Sequence, residues 1–263
     1  MRVLVTGHKG YIGTTLVPLL QSEGFDVTGL DSDLFRECTF DKGMVNIPEV
    51  IKDVRDVTAR DVEGHDASIH LAGRSNDPLG DYDPTLTDDI NCQGSIKLAR
   101  IAKQVGVRRF VFASSCSNYG AAGDQFLTEG AEFNPVTPYG ESKVNVERAG
   151  THPAHKYFSP TYLRASTAYG LSPRIRFDLV VNNLTAWALT TGRVYLKSDG
   201  SPWRPIVHVE DIGRAYVAAL KAPIELVHDQ AFNVGTTTEN YQIREIAKIV
   251  ESVVPGCRVD FAP

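Results

Sequence analysis

The sequence carries a phenol and an ammonium group four positions apart, at Tyr139 and Lys143 of the segment PYGESK. On a helix, side chains four positions apart project from the same face and lie close together. A tyrosine ordinarily has a pKa of about 10, and a cation within about 4–6 Å favours its phenolate. The pair therefore predicts a general acid/base that works closer to neutral pH, with Tyr139 carrying the proton and Lys143 supporting it.

A second group suited to chemistry is the hydroxyl of Ser115, in the string SSCSNYG that follows an apolar run at residues 109–114. Because this run predicts a strand, Ser115 falls at a strand's carboxyl end, where open α/β sheets bind their ligands. We expect its hydroxyl to hydrogen-bond a substrate oxygen beside Tyr139. The neighbouring Cys116 has no evident histidine partner in the sequence, so a nucleophilic role for it is not favoured.

A glycine-rich segment, TGHKGYIG, lies between a short apolar run at residues 2–6 and an amphipathic stretch at 11–22. In a strand–loop–helix unit of this kind, Gly7 makes a tight turn and Gly10 lets a pyrophosphate approach the backbone. Gly13 lets the helix pack closely on the strand, and the amino terminus of that helix faces the anionic phosphates. The segment therefore predicts a dinucleotide-binding loop.

An acidic residue, Asp31, ends the second apolar run and stands 18 residues beyond Gly13. A carboxylate at this place can accept hydrogen bonds from the adenosine ribose hydroxyls and repel a 2′-phosphate, so it predicts NAD rather than NADP. Lys9 could offset that repulsion by charge pairing. We interpret Lys9 instead as a solvated lysine of the loop.

The elements that must position these groups alternate along the chain. After the first strand, helix and second strand, further strand-like runs lie at residues 67–71, 109–114 and 161–164, with helical patterns at 86–105 and 139–148. Such alternation predicts an α/β fold, with a doubly wound parallel sheet of the Rossmann type and right-handed crossovers.

The pattern changes after residue 170, where a helical stretch at 177–190 is followed by short strand-like segments. We interpret this region as a smaller C-terminal substrate-binding lobe. The predicted division is an NAD-binding domain at 1–170 and the lobe at 171–263, with about 206–220 returning to the sheet.

Composition excludes several classes of protein. The 263 residues can form one large α/β domain with a small lobe, and a net charge of −5 gives no broad positive field for nucleic acid. The four cysteines form no CxxC pair, so neither a disulfide framework nor a metal site is indicated. No apolar run reaches the roughly 18 residues of a membrane helix, and no signal peptide is evident. We expect a soluble cytoplasmic protein.

Together these motifs resemble those of the extended short-chain dehydrogenases/reductases, in particular the NAD-dependent epimerase/dehydratase group that acts on nucleotide sugars. The resemblance extends from residue 2 to about 254. Its motifs are TGHKGYIG, Asp31, DVRD, HLAG, Asn91, SSCSNYG, PYGESK, LRASTAYG and PWRPIVHVEDI.

The resemblance implies a role for each matching position. The cofactor-binding residues would be Gly7, Gly10, Tyr11, Ile12 and Gly13 at the pyrophosphate, Asp31 at the adenosine ribose, Asp53 and Val54 at the adenine, and Leu71, Ala72, Asn91, Tyr139 and Lys143 along the groove. The catalytic residues would be Ser115, Tyr139 and Lys143. The substrate-binding residues would be Ser115, Thr167, Asn183 and Arg204, of which Arg204 offers a planar charged fork suited to phosphate.

The chain differs from the usual pattern of this family at positions that bear on which reaction it catalyses. It has Thr167 where many nucleotide-sugar epimerases have Asn, and it lacks the Asp-Glu pair that 4,6-dehydratases carry after their catalytic Thr. Removing water needs an extra acid and base, so dehydration is disfavoured. The sequence also ends at Pro263, earlier than is usual in the family, so we expect a C-terminal piece of the sugar pocket to lie outside it.

The resemblance implies an NAD-dependent epimerase of a nucleotide-diphosphate sugar, acting at C4 through a transient 4-keto sugar. Three alternatives stay open. They are an NAD(P)-dependent keto-sugar reductase or dehydrogenase, a sugar dehydratase, and a non-catalytic NAD-binding protein, since a fold does not fix a function. The resemblance also implies a homodimer, formed through the helices predicted at 86–105 and 139–148.

Overall fold

The computed structural model describes residues 1–40, 44–120, 125–150 and 157–262. In these ranges the strands are β1 Arg2–Thr6, β2 Asp26–Asp31, β3 Glu49–Ile51, β4 Ala67–His70, β5 Arg109–Ser115, β6 Ser159–Ala165, β7 Thr167–Tyr169, β8 Arg193–Leu196, β9 Trp203–His208, β10 Gln230–Val234, β11 Asn240–Gln242 and β12 Arg258–Phe261.

The helices of the same ranges are α1 Gly13–Ser22, α2 Ala59–Val62, α3 Asp77–Tyr82, α4 Pro84–Asp88, α5 Gly94–Gln104, α6 Pro138–Gly150, α7 Val180–Thr191, α8 Val209–Lys221, α9 Ile224–Val227 and α10 Ile243–Val253. A π-helical turn at Asp89–Gln93 joins α4 to α5, and a 3₁₀ turn at Cys116–Tyr119 follows β5.

The main sheet is parallel throughout. Within the described residues it has seven strands in the order β3-β2-β1-β4-β5-β6-β10. The order reverses between β1 and β4, so the carboxyl ends of these strands border the crevice in which doubly wound sheets bind ligands. The predicted doubly wound parallel fold is confirmed.

Helices cover both faces of this sheet. On one face, α1 and α8 pack together over a core that includes Leu16, Leu20, Ile212 and Tyr216. On the other face, α5 and α6 lie side by side over a second core that includes Phe112. Both faces are buried, which explains why the central strands are continuous apolar runs.

A third, smaller core lies between α7 and α10. It is completed by the two-stranded pair β8 and β12, and a three-stranded sheet of β7, β9 and β11 borders it. The chain also leaves this region and comes back, because α8 packs on α1 and β10 adds the last strand of the main sheet beside β6. Sequence reasoning did not find β10.

The helix predicted at 86–105 is present, but it begins at Pro84 and contains the π-helical turn. No helix in the part of the chain that the structure describes is long and apolar enough to cross a membrane. No group of three or more side chains suited to a metal ion was found among the same residues.

Candidate active site

The glycine-rich loop between β1 and α1 is packed too tightly for side chains at two of its glycines. Gly7 has a φ of +74°, and a Cβ atom there would lie 2.6 Å from the backbone nitrogen of Ala72. A Cβ atom on Gly13 would lie 2.3 Å from the carbonyl oxygen of Gly7. The loop therefore lies against the segment after β4 and against the first turn of α1, as a phosphate-binding loop must.

Asp31 ends β2 and lies beside this loop. Its carboxylate accepts hydrogen bonds from the backbone nitrogens of Lys9, at 3.0 Å, and Asp33, at 2.9 Å. It therefore ties the glycine loop to the end of β2.

Lys9 is not the solvated loop lysine that the sequence suggested, and that interpretation is wrong. Its side chain is only 13% exposed, and Nζ lies 3.0 Å from Asp33 and 2.9 Å from Glu49. Burial lowers the pKa of Lys9, but hydrogen bonds and charge interactions with the two carboxylates outweigh burial and raise it. The ammonium is therefore neutralised within the protein, and its charge offsets little of the repulsion that Asp31 exerts on a 2′-phosphate.

The remaining predicted cofactor residues lie along the carboxyl ends of the neighbouring strands. Leu71 and Ala72 follow β4, and the backbone nitrogen of Ala72 donates to the Thr6 hydroxyl at 3.3 Å. Asp53 accepts from the backbone of Arg55 at 2.8 Å and forms an ion pair with the same residue. Val54 is buried in the core below.

Asn91 lies in the π-helical turn and is buried. Its side-chain oxygen accepts from the backbone nitrogen of Arg74 at 2.7 Å, and its amide donates to the carbonyl of the same residue at 2.8 Å. These two bonds fix the chain after β4, where a Cβ atom on Gly73 would lie 3.9 Å from Nζ of Lys143. Asn91 thus shapes the wall beside the predicted catalytic lysine.

The structure gathers the three predicted catalytic residues at the carboxyl end of β5. Ser115 is the last residue of this strand, and Tyr139 and Lys143 lie in the first two turns of α6. Nζ of Lys143 lies 5.4 Å from the centre of the Tyr139 ring and 4.6 Å from that of Phe112 on β5.

A close contact between backbones sets the approach of α6 to β5. A Cβ atom on Gly140 would lie 3.0 Å from the carbonyl oxygen of Ser117, in the turn that follows β5. This approach brings the start of α6 down onto the turn beside Ser115. The Ser115 hydroxyl accepts from the backbone nitrogen of Ser117 at 3.1 Å, so the turn also orients it.

Burial controls the charge states around this centre. Lys143 is 4% exposed, and this burial lowers its pKa to about 8, although the charge of Glu147 acts in the opposite direction. His70, buried on β4, has its pKa lowered to about 3 by burial and is neutral. Burial also raises the pKa of Cys116 to about 11, which disfavours a thiolate nucleophile beside Ser115.

The comparisons with known proteins agree with this arrangement. Residues 3–235 match the sequence model of the NAD dependent epimerase/dehydratase family. The chain belongs to this family.

Relatives and solved structures of known activity fall in the same group. The chain is 29% identical over 277 residues to a UDP-glucose 4-epimerase of Lactobacillus helveticus, across 96% of this chain and 82% of that protein. It resembles an NAD-dependent NDP-hexosamine 5,6-dehydratase of tunicamycin biosynthesis, with a TM-score of 0.89 and 26% identity over 100% of this chain and 84% of the other. It also resembles the UDP-glucose 4-epimerase of Thermus thermophilus solved with NAD, with a TM-score of 0.85 and 27% identity over 100% and 86% of the two chains.

This epimerase/dehydratase family member joins its glycine loop to α7 and to the segment after β7 through residues that sequence reasoning missed. Asn182 on α7 donates to the Tyr11 hydroxyl at 3.2 Å and accepts from the backbone nitrogen of Gly170 at 3.0 Å. Ser172 donates to the carbonyl of Tyr11 at 2.8 Å, and its hydroxyl also lies 2.8 Å from that of Thr14. These hydrogen bonds therefore hold the segment after β7 against the glycine loop.

Two arginines of that segment also escaped sequence reasoning. Arg176 donates to the Ser75 hydroxyl at 2.6 Å, pairs with Asp178, and interacts electrostatically with the phenol of Tyr139. Arg174 is only 7% exposed, yet its Nε and Nη1 atoms have no hydrogen-bond partner among the described residues. The clustered arginines of the segment SPRIR were a sequence signal that could have directed attention here.

The other predicted substrate residues lie on β7, α7 and β9. Thr167 begins β7 and is half-buried. Asn183, beside Asn182 on α7, donates to the carbonyl of Phe177 at 2.7 Å. Arg204 on β9 is exposed, and its Nη1 donates to the carbonyl of Trp203 at 2.9 Å. Asn183 and Arg204 thus have local partners within the smaller core region.

Proposed function

We propose that the residues around the glycine loop bind the NAD that the family implies. Gly7 and Gly13 leave backbone, rather than side chains, along the start of α1, where a pyrophosphate is stabilised. Arg174 adds a buried guanidinium with two nitrogens, Nε and Nη1, that lack an acceptor among the described residues. Since burying an unpaired charge is costly, this arginine is suited to an anionic ligand. We propose that Asp31, beside this loop, accepts hydrogen bonds from the adenosine ribose.

We propose that the protein is an NAD-dependent epimerase of a nucleotide-diphosphate sugar, acting at C4. One observation carries the proposal: Tyr139, Lys143 and Ser115 lie together at the carboxyl end of β5, next to a dinucleotide-binding loop. The sequence similarity to UDP-glucose 4-epimerases supports the reaction type.

In the proposed reaction, Oη of Tyr139 removes the proton of the C4 hydroxyl and later returns a proton to the same oxygen. The Lys143 ammonium favours the phenolate form of Tyr139, and the Ser115 hydroxyl hydrogen-bonds the reacting oxygen. When bound by the glycine loop, NAD would supply a reversible hydride acceptor for C4, so that the keto sugar can be reduced again on its other face.

We propose that residues 1–170 bind NAD and that the lobe at 171–263, with about 206–220 packed on the main sheet, binds the substrate. Arg204 would pair with the substrate diphosphate, and Thr167 and Asn183 would contact the nucleotide sugar. We also propose a homodimer, which the side-by-side packing of α5 and α6 supports, because two such pairs can form a four-helix contact. The free thiols of the described residues support a cytoplasmic location.

Incubation of the purified protein with a panel of nucleotide sugars, including UDP-glucose and UDP-galactose, tests the function. We expect a C4 epimer of unchanged mass, formed without added cofactor, because NAD is regenerated in each turnover. The denatured protein should release NAD. Tyr139→Phe serves as the inactive control.

Three outcomes would contradict the proposal. A product that has lost one water identifies a dehydratase. Net consumption of NADH or NADPH, in proportion to product, identifies a reductase. Release of NAD without turnover of any sugar in the panel points to a non-catalytic NAD-binding protein.

A further inference from the structure

Glu147 lies one helical turn beyond Lys143 on α6 and is only 5% exposed. Its carboxylate accepts a hydrogen bond from the Ser114 hydroxyl and another from the Asn118 amide, at 2.9 Å. It also accepts from Arg164, at 3.0 Å from Nε and 2.6 Å from Nη2. A buried carboxylate with this many donors has a fixed position.

The donors to Glu147 lie on both sides of Ser115. Ser114 is the residue before it at the end of β5, and Asn118 lies in the 3₁₀ turn after it. One carboxylate therefore binds the chain ahead of Ser115 and the chain behind it. The same carboxylate is carried by the helix that holds Tyr139 and Lys143.

Arg164 offsets the electrostatic cost of burying this carboxylate. It is the register partner of Ser114 on the neighbouring strand β6, and it pairs with Glu147 at 2.6 Å. Its Nη1 also donates to the Tyr119 hydroxyl at 2.8 Å and to the carbonyl of Glu129 at 2.9 Å. Without such a partner, a buried carboxylate would strongly destabilise the fold.

We propose that Glu147 is a positioning residue that holds the Ser115 hydroxyl in register with Tyr139 and Lys143. The catalytic part of this inference rests on the proposed function. Its geometric part rests on the hydrogen bonds that Ser114, Asn118 and Arg164 donate to the Glu147 carboxylate.

Glu147 has a second effect, on the charge of Lys143. The titratable groups near the ammonium are Tyr139 and Glu147 on its own helix and His70 on β4, which is neutral. Burial lowers the pKa of Lys143 and the Glu147 carboxylate raises it. Removing the negative charge should therefore lower the pKa of Lys143 further.

Glu147→Gln tests both effects. Glu141→Gln is the matched control, because it makes the same chemical change at an exposed position of α6. The pKa of Lys143 is measured by NMR of ¹³Cε-labelled lysine, with its signal assigned by its absence in Lys143→Arg. We expect this pKa to fall in Glu147→Gln alone. We also expect kcat to fall by about 10²-fold with little change in KM, because a small misplacement of reacting groups has an effect of that size.

Two further variants separate positioning from stability. Glu147→Met combined with Arg164→Met removes the buried pair together, a change that is often neutral for stability. We expect the double variant to have a Tm close to that of the wild type, while its kcat stays low. Ser114→Ala removes one charge-assisted hydrogen bond of the same carboxylate and should lower kcat by about tenfold.

Full kcat in the double variant, or wild-type kcat in Ser114→Ala, would overturn the proposal. A pKa of Lys143 in Glu147→Gln equal to that in Glu141→Gln would overturn it as well. If Glu147→Gln does not fold, Ser114→Ala decides. The NMR titration needs no sugar. A wild-type protein without epimerase activity would therefore contradict the proposed function, while the titration would still show whether Glu147 raises the pKa of Lys143.

Discussion

The amide of Asn182 lies 3.2 Å from the hydroxyl of Tyr11, although 171 residues separate them in the sequence. Tyr11 belongs to the glycine loop, and Asn182 to a helix of the smaller core. The Tyr11 hydroxyl donates in turn to the carbonyl of Gly170 at 2.8 Å. Hydrogen bonds thus join the loop that would hold the cofactor pyrophosphate to α7 and to the segment after β7.

Tyr139→Phe removes one acidic proton and little volume. We expect kcat to fall by about 10²–10⁴-fold, the usual contribution of a positioned acid/base, while NAD binding stays near wild type. Steady-state kinetics and calorimetric NAD titration measure the two effects. A variant that keeps more than about a tenth of the wild-type rate would contradict the assignment of Tyr139 as the general acid/base.

Activity should fall as the pH rises through about 8, because burial lowers the pKa of Lys143 to about 8 and the neutral amine no longer supports the phenolate. A pH profile of kcat measures this limb. In Lys143→Arg the guanidinium stays charged, so any residual activity should not fall at this pH.

The pKa of Lys143 in the unfolded chain is near the ordinary value of 10.5, so the unfolded state binds more protons between about 8 and 10.5. This group therefore makes the protein more stable as pH rises through that window.

Asp31 should give the protein a preference for NAD, and the pairing of Lys9 with Asp33 and Glu49 strengthens this expectation. Asp31→Ala should weaken NAD binding by about 10- to 100-fold, since hydrogen bonds to a charged group are worth roughly 1.5–3 kcal/mol. NADP binding should weaken much less. Asp26→Ala, at the exposed start of the same strand, is the control. Tighter binding of NADP than of NAD by the wild type would show the expectation to be wrong.

Arg204→Ala should raise the apparent Kd for a nucleotide sugar by about 10- to 100-fold, because a guanidinium facing two phosphates forms charge-assisted bonds. NAD affinity should barely change, since the glycine loop lies in the other half of the cleft. Calorimetry with UDP-glucose and with NAD measures both. Arg258→Ala, an exposed arginine on β12, is the control. If Arg204→Ala left the affinity for UDP-glucose unchanged, or weakened the affinities for UDP-glucose and NAD equally, Arg204 would be a surface residue with no role in substrate binding.

Gly13→Ala should lower the free energy of unfolding by about 1–3 kcal/mol, a usual consequence of overpacking. The new Cβ atom would lie 2.3 Å from the Gly7 carbonyl oxygen, so the loop must move and NAD binding should weaken. Urea unfolding and NAD titration measure these effects. In Gly130→Ala the nearest atom to the new Cβ, the Thr128 hydroxyl, would be 4.0 Å away, so this control should resemble wild type.

The sequence predicted the parts of the fold and site that depend on local patterns. The glycine spacing after β1 and the separation of Tyr139 from Lys143 along one helix face are such patterns, and the structure places these residues where the patterns indicated. The main-sheet strands from β4 to β6 were found because burial on both faces makes them continuous apolar runs.

Other features depend on packing that no local pattern encodes. β10 is an edge strand of alternating burial, QAFNV, and carries no continuous apolar run. Asn182 and Asn183 are neighbours on α7, and only the position of the glycine loop makes Asn182 the one that reaches Tyr11. A signal did exist for α10, whose apolar residues recur at helical spacing through Ile243, Ile246, Ala247 and Val250.

The raised pKa of Cys116 has a consequence for how the site withstands redox stress. This thiol follows Ser115 directly, donates to the carbonyl of Arg164 at 3.2 Å, and stays protonated with a pKa of about 11. Peroxides and alkylating agents attack the thiolate, so Cys116 is a poor target, whereas Cys38 is exposed. Oxidants are therefore expected to react at the exposed Cys38 before they react at Cys116, whose burial keeps its thiol protonated.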